Sequence, residues 1–145
     1  LIVSGGIRNG ADVAKALALG ADAVAIGTAA LVAIGDNDPD LEDEYRKLHT
    51  TAGAYDDWHE GRDPAGITTQ DPELSKRLDP VRAGRRLANY LKVMTLEVQT
   101  IARAAGHNHI HNLEPEDLCA LTIEAAAMAR VPLAGTSWIP GQDKL

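Results

Sequence analysis

The sequence predicts an α/β fold, the carboxy-terminal portion of an eight-stranded TIM (β/α)8 barrel followed by a helical extension. Three observations predict it. The first thirty-one residues, LIVSGGIRNGADVAKALALGADAVAIGTAAL, read as strand, helix, strand and the start of a second helix. Each strand runs directly into a glycine-bearing turn. Beyond these units the apolar residues of the carboxy-terminal part recur at helical spacing.

The first strand is Leu1 to Val3, and it feeds Ser4, Gly5 and Gly6. Asn9 or Gly10 then caps a helix from Ala11 to Leu19, in which Val13, Ala16 and Leu17 form an apolar stripe, and Gly20 supplies the stop. A second strand, Ala23 to Ile26, feeds Gly27 and Thr28 before the chain turns helical at Ala29. A strand–helix–strand unit of this length has parallel strands and a right-handed crossover, so both strands end on one rim of the sheet. The amides of Gly5, Gly6, Gly27 and Thr28, with the hydroxyls of Ser4 and Thr28, then suit a phosphate group, because glycine permits close backbone approach and helix starts favour anions. Loops after the last two strands of such barrels hold phosphate in this way. Two tight turns without a ligand would use the same residue types.

From Asp36 to Glu44 the chain reads DNDPDLEDE. A helix–loop–helix calcium site needs glycine at its sixth position and glutamate at its twelfth, where this chain has Leu41 and Lys47, so the segment reads as an exposed acidic helix start. Thr50 to Gln70 lacks periodicity and predicts a long irregular loop, with Tyr55 and Trp58 packing on a surface. DPELSKRLDP predicts a short helical turn. Asp79 caps, and Pro80 begins, a long helix in which Ala83, Leu87, Leu91, Met94, Val98 and Ile101 form one buried face before Gly106 ends it. A last helix is predicted from Pro115 through Arg130, stopped by Pro132, with Cys119 buried and inert within it. The organisation is thus residues 1–35 as the last two βα units with their phosphate loops, 36–78 as the acidic helix start and irregular loop, and 79–145 as the helical extension and tail.

Composition bounds the function. A full barrel takes about 250 residues. This chain has 145 and begins on an apolar strand, so a fragment of a larger barrel is expected, inactive by itself. A net charge of −7 argues against nucleic acid as a partner, and no apolar run reaches the length of a membrane span. The single cysteine precludes an internal disulfide and suits a cytoplasmic protein. His107, His109 and His111 alternate and would share one face of an extended segment, but three imidazoles fall short of the four ligands of a structural zinc site, so no metal is assigned. No nucleophile and base can be paired from the sequence.

Two regions carry a family resemblance: SGGIRNGADVAKALALGADAVAIGTAAL, and ITTQDPELSKRLDP with the long helix and LEPEDLCALT. The whole chain resembles the carboxy-terminal part of the FMN-binding barrel of the glutamate synthase family. The first motif is shared with phosphate-binding barrels of the inosine monophosphate dehydrogenase type, and the second narrows the choice. The resemblance implies an oxidoreductase that forms L-glutamate from 2-oxoglutarate and ammonia supplied by a glutaminase-type amidotransferase subunit or domain, with FMN passing the reducing equivalents from an electron-donor subunit. It implies that the FMN phosphate lies at Ser4, Gly5, Gly6, Gly27 and Thr28. One departure is large. Glutamate synthases of this family usually carry three cysteines for an iron–sulfur cluster, the last opening a segment like CPVGIATQ, whereas this chain reads DPAGITTQ from Asp63 to Gln70 and has no cysteine from Gly35 to Gln70. No thiolate-held cluster is expected. A related subunit making a methylated glutamate, or a non-catalytic assembly subunit or truncated paralogue, fits the same departure.

Overall fold

The computed structural model describes residues 1–36, 38–49 and 61–142. Contacts gather these residues into two units, one of residues 1–25 with 94–145 and one of residues 26–93.

The first unit is built on the strand–helix–strand segment. β1 (Ile2–Ser4) and β2 (Ala23–Ala25) pair in parallel, with Ile2 opposite Ala23 and Ser4 opposite Ala25. The connecting α1 (Gly10–Ala18) starts at Asn9, whose side chain accepts the Asp12 N–H at 3.0 Å, and it stops before Gly20 at φ +98°. Val13, Ala14, Leu17 and Ala18 are its buried side chains, the stripe that a 3.6-residue repeat requires. A parallel pair joined by a helix is the α/β unit the sequence predicts, and among the described residues the sheet has these two strands.

α1 lies against the second half of the long helix α5 (Pro80–Ala104) at Gly10. A β-carbon there would come within 2.7 Å of the Met94 carbonyl oxygen and 2.8 Å of the Val98 nitrogen, so only glycine admits this approach. The Glu97 carboxylate accepts the Gly10 N–H at 2.7 Å, satisfying one donor that the first turn of α1 leaves without an intrahelical partner. Met94, Val98 and Ala102 are buried on this part of α5.

The second unit contains α2 (Thr28–Ile34), a 3-10 turn at Pro39–Leu41, α3 (Glu42–Lys47), α4 (Pro72–Ser75) and the first half of α5. Asp38, Asp71 and Asp79 each accept backbone N–H groups at a helix start, with Asp79 Oδ1 taking those of Val81 and Arg82 at 2.9 and 3.1 Å. The first turn of α3 carries Glu42, Asp43 and Glu44. The predicted packing of Tyr55 and Trp58 lies outside the described residues.

Two expectations are corrected. The helix predicted from Pro115 to Arg130 is instead a 3-10 turn at Pro115–Asp117, a parallel bridge between Ala120 and Leu133, and a short α6 (Ile123–Ala129). The cause is a competing set of backbone bonds. Ala120 donates to the Pro132 carbonyl and accepts from Ala134, each at 2.8 Å, which holds it extended, and Thr122 Oγ1 then accepts the Ala125 N–H to start the helix afresh. Cys119 consequently lies outside any helix and is exposed rather than buried. The predicted buried face of α5 is also interrupted, because Leu91 is 41% exposed while Ala83, Met94 and Val98 are buried.

Gly10→Ala is expected to lower stability by at least about 1–3 kcal/mol, since the added methyl meets backbone atoms that cannot move aside. Gly84→Ala, within α5 and with open space around the new methyl, is expected to raise it by about 0.5–1 kcal/mol. Chemical denaturation of the two variants beside the parent measures both, and equal effects would remove the distinction drawn here.

Candidate functional site

The glycine turn after β1 is shaped by conformation rather than by crowding. Gly5 and Gly6 have φ of +101° and +69°, in the left-handed region that suits glycine, yet a β-carbon on either would meet nothing within 4 Å. Ser4, Gly5 and Gly6 are exposed. The backbone is thus bent into a turn that glycine suits, with open space beside both residues. Arg8, next along the turn, donates through Nε to Asp12 at 3.1 Å, and that guanidinium holds the Asp12 carboxyl below its ordinary pKa of 3.8.

Ser4 registers with Ala25, so β1 and β2 end together, and Gly27 caps α2 two residues further along. Gly27 and Thr28 are exposed at that helix start. They belong to the unit of residues 26–93, and Ser4, Gly5 and Gly6 to the other.

Asp63 organises a second feature. One carboxylate oxygen accepts the Ala65 N–H at 2.9 Å and the Tyr45 hydroxyl at 3.3 Å, while the other accepts the N–H groups of Ile67 and Thr68 at 2.8 and 2.9 Å. Four donors converge on one anion. Tyr45 is 6% exposed, and the single proton of its hydroxyl is shared between Asp63 and Asp36, the latter at 3.1 Å, which ties the loop to α3. Gly66 sits under Leu74, where a β-carbon would clash with the Leu74 carbonyl oxygen, and the Thr69 hydroxyl donates to the Gly61 carbonyl. The sequence marks Asp63 as the place where cysteine would stand; its role as acceptor for the whole turn is a tertiary fact.

The three histidines do not share one extended face. His109 caps a 3-10 turn at Ile110–Asn112 by accepting the His111 N–H, and the rings of His109 and His111 stack with centroids 5.5 Å apart. His107 Nε2 lies 2.7 Å from Asp117, a partner ten residues away that the sequence did not suggest. Asp117 also accepts the Glu114 N–H at 2.9 Å, and that backbone bond, with lesser help from His107, holds its carboxyl below the ordinary value against the opposing effect of desolvation. Among the described residues no group of three or more His, Cys, Asp or Glu side chains is placed to hold a metal ion.

Comparison with known proteins adds the following. The family described as the conserved region in glutamate synthase matches residues 1–41 and 49–108. A glutamate synthase large subunit-like protein of Rhizobium meliloti (strain 1021) is 87% identical over 142 residues, 98% of this chain and 32% of that protein. An archaeal-type glutamate synthase (NADPH) of Thermotoga neapolitana is 46% identical, and an archaeal glutamate synthase (NADPH) of Methanocaldococcus jannaschii 47%, each covering 78% of this chain and 19% of the relative. The chain therefore spans about a third of the first relative's length and about a fifth of the others'. No solved structure matches it.

Asp63→Asn and Asp63→Ala are both expected to cost on the order of 2–3 kcal/mol, because the amide of Asn, whichever way it is turned, aims a donor at donors. Denaturation midpoints test this, and an Asn variant as stable as the parent would contradict it. Since the folded Asp117 carboxyl titrates below its ordinary 3.8, its contribution is complete above that value and is lost as pH falls through the lower, folded one. Carboxyl chemical shifts followed by NMR should place its midpoint below 3.8, and Asp117→Asn should remove the acid-dependent shift of the Glu114 amide.

Proposed function

This chain belongs to the glutamate synthase family, and on that premise we propose that it is the carboxy-terminal part of an FMN-binding (β/α)8 barrel, within an oxidoreductase that forms L-glutamate from 2-oxoglutarate and ammonia. The observation that carries the reading is the turn after β1, where Gly5 and Gly6 both adopt positive φ with open space outside them. That geometry fits the phosphate of FMN, which needs backbone amides at close range. Ser4, Gly5 and Gly6 supply amides and one hydroxyl at the end of β1, and Gly27 and Thr28 supply the same groups at the start of α2.

FMN, when bound, passes reducing equivalents to the amination step. The chain's own residues would hold the phosphate end, their amides donating to its oxygens. NADPH appears in the names of the archaeal relatives, which supports a nicotinamide nucleotide as the ultimate donor. The wording large subunit-like in the name of the Rhizobium relative supports a multi-component enzyme, with a glutaminase-type subunit or domain as the ammonia source and a separate electron-donor subunit. Nothing in the described residues is long and apolar enough as a helix to cross a membrane.

A second reading is favoured by Asp63. Its carboxylate fixes, through three amides and a hydroxyl, the turn that the family resemblance assigns to an iron–sulfur ligand. A subunit whose turn is held by hydrogen bonds in place of a cluster fits a related amidotransferase, such as one forming a methylated glutamate, or an assembly subunit that keeps the fold without the redox relay. Both readings share the phosphate cradle, and they differ in turnover.

The purified natural protein is expected to show a flavin absorbance spectrum, and a colourless protein that takes up no added FMN overturns the cofactor assignment. Gly6→Asp places a carboxylate and a side chain against the phosphate and strains a positive φ, so FMN affinity should fall by several kcal/mol, on the order of a hundredfold or more. Fluorescence titration with FMN measures it, and unchanged affinity would remove the cradle. Glutamate formation from 2-oxoglutarate and glutamine separates the two readings.

A further inference from the structure

The unit of residues 26–93 contains a recess of about 290 Å3, close to the lower end of small-molecule sites, which run from about 300 to 1,000 Å3. Its floor is apolar, formed by Ile34, Leu41, Ala65, Leu78 and Ala83. Its rim is charged, and most of the charges are already committed. Arg77 donates to Glu44 at 2.8 Å and to the Pro64 carbonyl at 3.0 Å. Asp38 accepts the Asp40 N–H, and Asp79 caps α5.

Arg82 and Arg86 also line the recess, one helical turn apart on α5, and among the described residues neither guanidinium has a hydrogen bond or ion pair. The Arg86 guanidinium lies over Gly35, 3.8 Å from where a β-carbon would stand. Like charges four residues apart on a helix repel each other, and an arginine cannot relieve that by losing its proton. In a chain of net charge −7, these two guanidiniums stand at the recess without a carboxylate partner among the described residues. The only rim carboxylate with no bond to its side chain among the described residues is that of Asp40.

We infer that this recess binds a small dianion, carrying a phosphate group or two carboxylates, between Arg82 and Arg86. Two forked guanidiniums can each grip an oxyanion through paired N–H donors, and the apolar floor takes the carbon skeleton of the ligand. The recess is independent of the glycine turns, so the inference stands or falls apart from the FMN assignment. Its volume admits a compact metabolite and excludes a dinucleotide.

Calorimetric titration of the natural full-length protein, saturated with FMN, with inorganic phosphate and separately with succinate tests it. The parent should bind at least one probe, and Arg82→Gln with Arg86→Gln should raise that dissociation constant at least tenfold. Tighter binding of phosphate assigns a phosphate-bearing ligand, and tighter binding of succinate a dicarboxylate. Failure of the parent to bind either probe, or a change under tenfold in the double variant, overturns the inference. Both arginine side chains are exposed and hold nothing else, so the double variant should melt with the parent. Should it melt early, Arg86→Gln alone is read against the same tenfold criterion.

Discussion

The close contact of α1 with α5 at Gly10 is the constraint on which the first unit depends. A helix start can meet the flank of another helix at backbone distance only where no side chain intervenes, and Gly10 meets Met94 and Val98 in that way. Glu97 then supplies, from α5, the acceptor that the first turn of α1 lacks. Because α1 is the crossover between β1 and β2, the segment that follows the Gly5–Gly6 turn runs into a helix start anchored on α5.

Asp63 plays the corresponding part in the second unit. A turn rich in glycine and threonine has no apolar periodicity to hold it, and its amides need acceptors when they are turned inward. One carboxylate collects three of them together with the Tyr45 hydroxyl. The result ties residues 61–70 to α3. Such an arrangement gives a physical account of how a family member can keep this turn while lacking the cysteine that the resemblance leads one to expect.

Charge is distributed unevenly over the same unit. Carboxylates there are spent on helix starts and on Arg77, as at Asp38, Asp71 and Asp79, whereas Arg82 and Arg86 keep their charges unmatched. In the first unit Asp117 gathers a backbone amide and His107, so two potentially reactive polar groups are occupied with each other. Local pairing thus occupies the histidine segment, while the arginine pair stays open at the recess.

By itself the sequence determined what depends on short-range pattern. The parallel strand–helix–strand unit, the caps at Asn9 and Asp79, the stop at Gly20 and the span of α5 were all legible, because periodicity and capping chemistry act within a few residues. The candidate phosphate residues Ser4, Gly5, Gly6, Gly27 and Thr28 were legible as a motif, through glycine at strand ends. Tertiary structure alone decided the break between Pro115 and Ile123, the exposure of Cys119, the pairing of His107 with Asp117 and the convergence of four donors on Asp63. Each of these rests on groups far apart in the chain or on backbone bonds competing with a helix, as Ala120 does with Pro132 and Ala134. Helical propensity in LCALTIEAAAMAR favours one continuous helix, but it is worth only tenths of a kcal/mol per residue, and the extended bridge at Ala120 prevails by satisfying its backbone groups across the chain.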